Sequence, residues 1–378
     1  MSNRVITRPF VIGVIAILVV VAITLTSCSN TTPAPAASNP ASPATKPAGS
    51  SAVGPAPGEK WPEAISVGSP TSGGGAYFTA TALSTLIKEH LNVTASPQVQ
   101  GGIIGALNAM ALGRMDMAYV TALEAVQAYQ GKGLFQGKAI PQARVLFGGP
   151  ISIILMVVRA DSPIKSISDL KGKRVMYKSP GNPIPSQAFE GLLQVYNMKP
   201  SDVVGLEWTI DKQVADGLTA HTIDAGILMG PFVGQSPVIL EASQSTPLHI
   251  IDVPEDKLQW VADHSFPQGV MRVVTYKGGQ YKGTDYDVHM LNIFQYCLTT
   301  TSLPNSFAYQ LLKAIWDDHL QEYEAKYPNN KLHSAKNTLT IASLPFHDGT
   351  IQYFKEKGLW TPEKQQLQDK LLAQAGKK

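Results

Sequence analysis

Apolar runs of strand length alternate with amphipathic stretches in the first half of the chain. The runs at residues 64–67, 93–99 and 117–120 predict strands, and the last of these is short and buried. Helical patterns follow them at residues 76–91, 103–112 and 122–129. Such an alternation of strand and helix predicts parallel sheets covered by helices on both faces.

The second half repeats the alternation less regularly. Further strands are predicted at residues 144–147, 151–158, 174–177, 225–229, 248–253 and 290–299. Further helices are predicted at residues 186–196, 211–220, 255–263, 306–327, 349–356 and 362–372. Residues 266–288 are rich in glycine and tyrosine and are predicted to form a loop. Two strand–helix sets joined by the long apolar runs at 151–159 and 290–299 predict two lobes linked by crossing strands.

The amino-terminal segment has the order of a secretory signal. Arg4 and Arg8 precede an apolar run at residues 10–23, which is short for a membrane span of about 20 residues. Leu25-Thr26-Ser27-Cys28 then resembles the bacterial lipobox, in which the cysteine is acylated and becomes the mature amino terminus. We therefore expect a signal peptide at 1–27 and a lipid on Cys28; the alternative is a plain signal anchor with a chance cysteine.

Residues 28–60 are rich in proline, alanine, serine and threonine. Such a composition buries too little apolar surface to offset chain entropy, so this segment is predicted to be a disordered tether. About 315 residues remain from Trp61 onward, which is enough for two cores. The chain is thus expected outside the cytoplasm, with a globular body held near a membrane by its anchor.

Charge and cysteine content exclude several classes of function. Removal of residues 1–27 leaves 29 basic and 28 acidic residues, so there is no basic stripe for nucleic acid. With Cys28 acylated, Cys297 is the remaining thiol, which permits neither a disulfide within the chain nor a thiolate zinc site. Because Cys297 lies in an apolar run, it is predicted to be a buried small hydrophobe rather than a reactive thiol.

Glycine-rich loops precede three predicted helices. Residues 67–77 read VGSPTSGGGAY, Gln100-Gly101-Gly102 precedes the next helix, and Ser179-Pro180-Gly181-Asn182 precedes a helix in the other lobe. Free backbone N–H groups at the start of a helix bind anions without a cationic side chain. Since ligands in open α/β sheets lie beyond the carboxyl ends of strands, these loops predict an anion site in the cleft; ordinary turns are the alternative.

Signals for catalysis or metal binding are weak. The sequence contains no Gly-x-Ser-x-Gly and no His-Glu-x-x-His, and its eight histidines do not pair at helical spacing. The carboxylates of Asp161, Asp169 and Asp224 lie in predicted turns, where capping is more common than acid–base work. We therefore expect no catalytic residues, no metal and no cofactor, and a protein that is not an enzyme.

Several segments of the chain, taken together, resemble the TAXI-type solute receptors of tripartite ATP-independent periplasmic (TRAP) transporters. The similarity is carried by residues 68–78, 97–118, 128–131, 157–175, 223–225 and 345–358. It extends over nearly all of residues 64–359. The stretch VRADS…DLKGKRV within 157–175 is also similar to ABC-type receptors, so the combination with the first two glycine loops is the more specific signal.

The resemblance implies a type II periplasmic-binding fold: α/β, with two lobes, each a mixed and mainly parallel sheet flanked by helices. Lobe I would comprise 62–158 and 290–378, and lobe II 159–289. A small carboxylate, such as a glutamate-like amino acid or an oxo-acid, would bind between them and pass to TRAP membrane permease subunits. The implied ligand-binding residues are Ser69, Thr71, Gly74, Tyr77, Gln100, Gly102, Thr121, Gly181, Asn182, Ser186 and Phe232.

One position and one five-residue segment depart from the family pattern. Thr121 stands where the family often has Asn or Gln, and Asn182-Pro183-Ile184-Pro185-Ser186 is stiffer and less polar than the family's loop. The second departure argues against specificity for glutamate. Three alternatives stay open: an ABC-type or sensor-associated binding protein of the same fold, a periplasmic enzyme that uses the cleft, and a structural lipoprotein without a ligand.

Overall fold

The computed structural model describes residues 53–69, 72, 75–180 and 182–375. The signal segment, Cys28 and most of the predicted tether lie outside these residues. The strands in the described part are β1 (Ala64–Ser69), β2 (Thr94–Val99), β3 (Met117–Thr121), β4 (Ala143–Arg159), β5 (Arg174–Lys178), β6 (Val204–Glu207), β7 (Ala225–Pro231), β8 (Leu248–Ile250), β9 (Met271–Tyr276) and β10 (Val288–Thr300).

The helices lie between and after these strands. Their bounds are α1 (Gly75–His90), α2 (Ile103–Ala111), α3 (Ala122–Gln130), α4 (Pro183–Val195), α5 (Asp211–Thr219), α6 (Pro237–Ser245), α7 (Glu255–Ser265), α8 (Asn305–Lys313), α9 (Leu320–Lys326), α10 (Ala335–Leu339), α11 (Asp348–Glu356) and α12 (Pro362–Leu372). Among the described residues, none of these helices is both long and apolar enough to cross a bilayer.

One sheet contains all ten strands of the described residues. Its order is β2-β1-β3-β10-β4-β7-β5-β6, with β8 paired to β4 and β9 paired to β10. The pairs β1–β2, β1–β3, β5–β6 and β5–β7 are parallel, whereas the pairs of β4 and β10 are antiparallel. The predicted α/β class, a mixed sheet flanked by helices, is confirmed.

The two parallel ends of the sheet share a local design. At one end, Ser66 donates from its backbone N and its Oγ to Asp116 Oδ2, at 2.8 and 2.6 Å. At the other, the backbone N of Arg174 donates to Asp224 Oδ2 at 2.8 Å. Asp116 directly precedes β3, and Asp224 directly precedes β7. Each carboxylate therefore ties the start of one strand to the neighbouring strand.

The long strands β4 and β10 connect the two ends. They contain 17 and 13 residues, and they coincide with the runs predicted to cross between lobes. The prediction of two separate strands within residues 144–158 was wrong, because Gly148, Gly149 and Pro150 stay extended and pair with β10. A register shift between Ile293 and Phe294 accommodates this segment, as expected for a β-bulge.

Other sequence predictions also need correction. Residues 266–288 contain β9, which pairs with β10 although its alternation of buried and exposed positions is weak. The strand β6 and the helices α6 and α10 were not predicted. The helix predicted at 306–327 is interrupted by a π-helical turn at Ala314–Asp318, so that α8 and α9 are separate helices.

Apolar side chains fill the space between the helices and the sheet. On the end formed by β1–β3, helices α1, α8, α9 and α11 bury Leu83, Phe307, Leu311, Tyr323 and Phe354 in one cluster. A separate cluster lies at the end formed by β5–β7. Cys297 is buried in the first cluster, as predicted, and burial raises the pKa of its thiol.

Candidate functional site

The register of the central strands brings the carboxyl ends of β3 and β7 toward each other. Thr121, at the end of β3, lies opposite Gln295, which in turn pairs with Gly149 of β4. Pro231, at the end of β7, pairs with Ser152 of β4. Because β3 runs in the same direction as β4 and β7 runs against it, the two ends meet near the middle of β4. The loops that follow these strands therefore converge.

The starts of α1, α2 and α3 lie along the same edge of the sheet, since β1, β2 and β3 are parallel neighbours. The backbone N of Gln100 donates to the carbonyl oxygen of Ser69 at 3.3 Å, which joins the ends of β1 and β2. Thr121 is the N-cap residue of α3. Predicted residues Ser69, Gln100, Gly102 and Thr121 thus lie on one edge, whereas Thr71 and Gly74 lie outside the described residues.

Gly102 determines how α2 begins. It is the N-cap residue, with φ 101° and ψ 173°, a backbone conformation that is essentially restricted to glycine. The helix has no side-chain cap at this end. The N–H groups of its first turn are therefore directed outward at the positive end of the helix dipole, which is the arrangement that binds anions.

A cavity of about 590 Å³ lies at the start of α2. The described lining residues are Gly101, Gly102, Ile103, Ile104, Leu123, Glu124, Gln127, Gly133, Leu134, Pro180 and Pro183. Pro180 lies in the loop between β5 and α4, and Pro183 is the first residue of α4, at the other end of the sheet. The second and third glycine-bearing loops of the sequence thus face one cavity, whose volume is in the range of small-molecule sites.

Glu124 lines the cavity but was not among the residues predicted from the sequence to bind a ligand. It lies in the first turn of α3, and the Thr121 hydroxyl donates a hydrogen bond to its Oε2. Burial raises the pKa of its carboxyl group. Among the described lining residues it is the one charged side chain. The Thr-x-x-Glu spacing, which is typical of helix starts, was the available sequence signal.

Two predicted ligand-binding residues, Asn182 and Ser186, form hydrogen bonds with the backbone around the loop between β5 and α4. Asn182 caps α4, with its Oδ1 accepting from the N of Ile184 at 3.2 Å. The Oγ of Ser186 accepts from the N of Ser179 at 3.0 Å and donates to the carbonyl of Tyr177 at 3.1 Å. These bonds give both side chains a positioning role where the loop after β5 joins the start of α4. Gly181 lies outside the described residues.

Tyr77 and Phe232 are not among the described residues that line this cavity. Tyr77 is half-buried in α1, and its ring lies edge-on to Phe78, with 6.3 Å between ring centroids. Phe232 packs against the apolar cluster of the β5–β7 end. The structure therefore places Tyr77 at the edge of the sheet where α1, α2 and α3 begin, and Phe232 beside the apolar cluster of the β5–β7 end. Neither residue is among the described residues of the cavity wall.

Two buried polar atoms lie on the segment that leaves β6. Trp208 Nε1 and Asp211 Oδ1 have no hydrogen-bond partner among the described residues. Burial raises the pKa of Asp211, and a backbone hydrogen bond at Met229 opposes that effect. Buried polar groups without partners are uncommon in folded proteins and are available to a ligand or to water. Neither residue belongs to a motif that predicts a functional role from the sequence.

Comparison with known proteins gives the family. Residues 67–358 match the NMT1-like family. Similar solved structures include the periplasmic aliphatic sulphonate binding protein SsuA from Escherichia coli, which is 14% identical, with 84% of this chain and 92% of that chain covered and a TM-score of 0.43. A TctC solute binding protein from Polaromonas is 14% identical, with 70% and 88% covered and a TM-score of 0.45. Because the family match spans most of the sequence, the chain belongs to the NMT1-like family.

Proposed function

We propose that this protein is an extracytoplasmic solute-binding receptor that captures a small organic anion and delivers it to a membrane transporter. The observation that carries the proposal is the cavity shared by the uncapped start of α2 and by Pro180 and Pro183 from the other end of the sheet. Binding and release require no covalent chemistry, so the protein acts as a receptor rather than as an enzyme.

The chemistry of the cavity fits an anionic head group attached to an apolar body. N–H groups at the start of α2 donate to the anion, and such charge-assisted hydrogen bonds are about twice as strong as neutral ones. Ile103, Leu123 and Leu134 contact the rest of the ligand. In the more specific form of the proposal, drawn from the resemblance to TAXI-type receptors, the ligand is a carboxylate and the partner is a TRAP permease. Cys28 carries the lipid that anchors the receptor.

Closure of two lobes about β4 and β10 completes the mechanism. Lobe I comprises 62–158 and 290–378, and lobe II comprises 159–289. Ile104 and Leu134, at the cavity, are 40% and 66% exposed, and Ile210 and Val233, which follow β6 and β7, are 58% and 44% exposed. Hinge rotation that covers such side chains excludes water from the cavity and strengthens the hydrogen bonds to the anion. The closed form then docks on the permease.

Thermal unfolding of the full chain tests the proposal. The chain, in mild detergent, is mixed with small carboxylates, sulfonates and phosphonates, all of which present anionic oxygens. A ligand at about 100 times its dissociation constant stabilises the folded protein by about 2.7 kcal/mol, which raises the melting temperature by several degrees. We expect such a shift with at least one class. Unchanged melting curves with all three classes would contradict the proposal.

A further inference from the structure

Three side chains with metal-binding atoms meet where α1 ends and α9 begins. They are His90, the last residue of α1, together with His319 and Glu322. One nitrogen of each histidine and one carboxylate oxygen all lie within 4.8 Å of one another. None of the three is among the described residues that line the cavity, and the proposed function does not use them.

The distances bracket the ligand separation of a tetrahedral metal site, and the shorter one is a hydrogen bond in the absence of an ion. His90 Nε2 and His319 Nδ1 lie 2.9 and 3.7 Å from Glu322 Oε2. Metal–ligand bonds of about 2.0–2.1 Å place neighbouring ligands of a tetrahedron about 3.4 Å apart. The two imidazole rings stack with their centroids 3.4 Å apart. Rotation of the rings out of this stack would direct both nitrogens at an ion beside Oε2.

The surroundings favour a cation at this position. The last carbonyl groups of α1 give its carboxyl end a partial negative charge, and His90 lies at that end. Lys326 pairs with the other oxygen of Glu322, Oε1, at 3.1 Å, and with Glu89 at 3.6 Å. Oε2 therefore faces the histidines, and the Glu89 carboxylate balances the ammonium charge. The side chains of His90, His319 and Glu322 are 24%, 33% and 35% exposed, so an ion can enter.

The interruption between α8 and α9 produces this arrangement. The π-helical turn at Ala314–Asp318 ends the first helix, and His319 takes φ −132° before α9 begins. π-Helical turns within helices frequently mark functional sites. The turn separates His319 from the helical course of α8 and lets it stack on His90.

We propose that His90, His319 and Glu322 bind a divalent transition-metal ion of the zinc class, with water as the fourth ligand. Two imidazoles and one carboxylate form a set that favours zinc, nickel or copper over magnesium and calcium, which take oxygen ligands. The ion links the end of α1 to the start of α9, and so fastens the carboxyl-terminal helices to the β1–β3 end of the sheet.

Calorimetric titration of the full chain with ZnCl₂ tests the site. The protein is purified without a histidine tag, stripped with a chelator and kept in mild detergent. We expect one zinc ion to bind per chain. The affinity for zinc should weaken about tenfold or more in His319→Ala and in Glu322→Gln. His264 is an exposed histidine of α7, and the control variant His264→Ala should bind zinc as tightly as the wild type.

Three results would contradict the proposed zinc site. Absence of stoichiometric zinc binding to the wild-type chain would do so, as would equal affinity in His319→Ala and His264→Ala. Tight binding of magnesium in place of zinc would rule out imidazole ligation. Because His319 and Glu322 are partly exposed, both variants should fold, and melting curves in the presence of chelator verify this before zinc is added.

Discussion

Gly102 and Pro180 line one cavity although they belong to opposite ends of the sheet. The N-cap residue of α2 faces the loop between β5 and α4 because β3, which pairs with β10, ends level with Gly149 of β4, and β7 ends at Ser152 of β4. A ligand held by the amides of α2 would therefore contact both ends of the sheet at once. In the proposed function, this juxtaposition couples ligand binding to closure of the two lobes.

Glu124 is predicted to oppose a bound anion. An ionised carboxylate several ångströms from the ligand costs roughly 1 kcal/mol of binding free energy. We expect Glu124→Gln to tighten binding of an anionic solute about fivefold at pH 8. Because burial raises the pKa of Glu124, wild-type affinity should rise as the pH falls toward 5, and Glu124→Gln should lose this dependence.

Calorimetry at pH 5 and pH 8 measures this effect. Glu241→Gln, on the exposed surface of α6, serves as the matched control and should bind like the wild type. Weaker binding by Glu124→Gln would contradict the prediction. It would indicate instead that the ligand donates a hydrogen bond or presents a positive charge to this carboxylate.

Asp116 is predicted to contribute more to stability than Asp224. Its Oδ2 accepts two hydrogen bonds from Ser66, and its carbonyl oxygen accepts one from the hydroxyl of Thr299 at 2.7 Å. Hydrogen bonds to charged groups contribute about 1.5–3 kcal/mol, so we expect Asp116→Ala to lower the free energy of unfolding by about 2 kcal/mol. Asp224 pairs with the more exposed Arg174, and Asp224→Ala should cost less because solvent screens that pair.

Urea denaturation measures both losses. Asp263→Ala is the control, since Asp263 accepts a hydrogen bond from Gln259 on the exposed face of α7, and it should change stability by less than about 0.5 kcal/mol. A loss in Asp116→Ala no larger than that of the control would show that this carboxylate does not tie β1 to β3.

Two buried histidines predict sensitivity to acid. Burial lowers the pKa of His333 and of His347 to about 4 from the ordinary value of 6.5. Both are therefore neutral in the folded protein and gain a proton more readily when it unfolds. The stability that depends on neutral imidazoles is fully present above pH 6.5 and is lost as the pH falls toward 4, by roughly 3 kcal/mol for each histidine.

Unfolding free energies at pH 7 and pH 4.5 test this dependence. His333→Leu should reduce the difference between the two unfolding free energies, because leucine takes up no proton. Both ring nitrogens of His333 lack partners among the described residues, so the substitution breaks no hydrogen bond of the ring that the structure shows. In contrast, His264→Ala should keep the wild-type difference. Equal acid sensitivity in all three proteins would show that other groups cause it.

The sequence predicted the elements whose pattern is set by local burial, and failed where distant contacts decide the structure. Residues 64–130 gave three strands and three helices close to their observed bounds, because most of these elements have a clear apolar face; the edge strand β2, which has no buried residue, is the exception. Strand β9 has no such face and exists because β10 lies beside it. The π-helical turn at Ala314–Asp318 left the helical spacing of apolar residues intact, so one helix was predicted.

The site shows the same division. The glycine of position 102 signalled an exposed helix start by itself, since its conformation is a local property. The importance of Glu124 depends on its burial beside loops that are distant in the sequence. The resemblance to TAXI-type receptors implied that Ser186 contacts the ligand, and this stays a prediction; in the structure its hydroxyl bonds to the backbone of Tyr177 and Ser179. Loop position is thus predictable from sequence, whereas the direction of a side chain is not.

The central claim is that a solute binds to the amides at the start of α2, and one calorimetric comparison tests it most directly. The solute that most stabilises the wild type is titrated into Gly102→Ala and into Gly113→Ala. Alanine at position 102 displaces the loop, because φ 101° and ψ 173° cost a side-chain residue about 1–3 kcal/mol. Gly113 also has positive φ but lies away from the cavity. We predict affinity lowered about tenfold or more in Gly102→Ala and unchanged in Gly113→Ala; equal affinity in both variants would contradict the account.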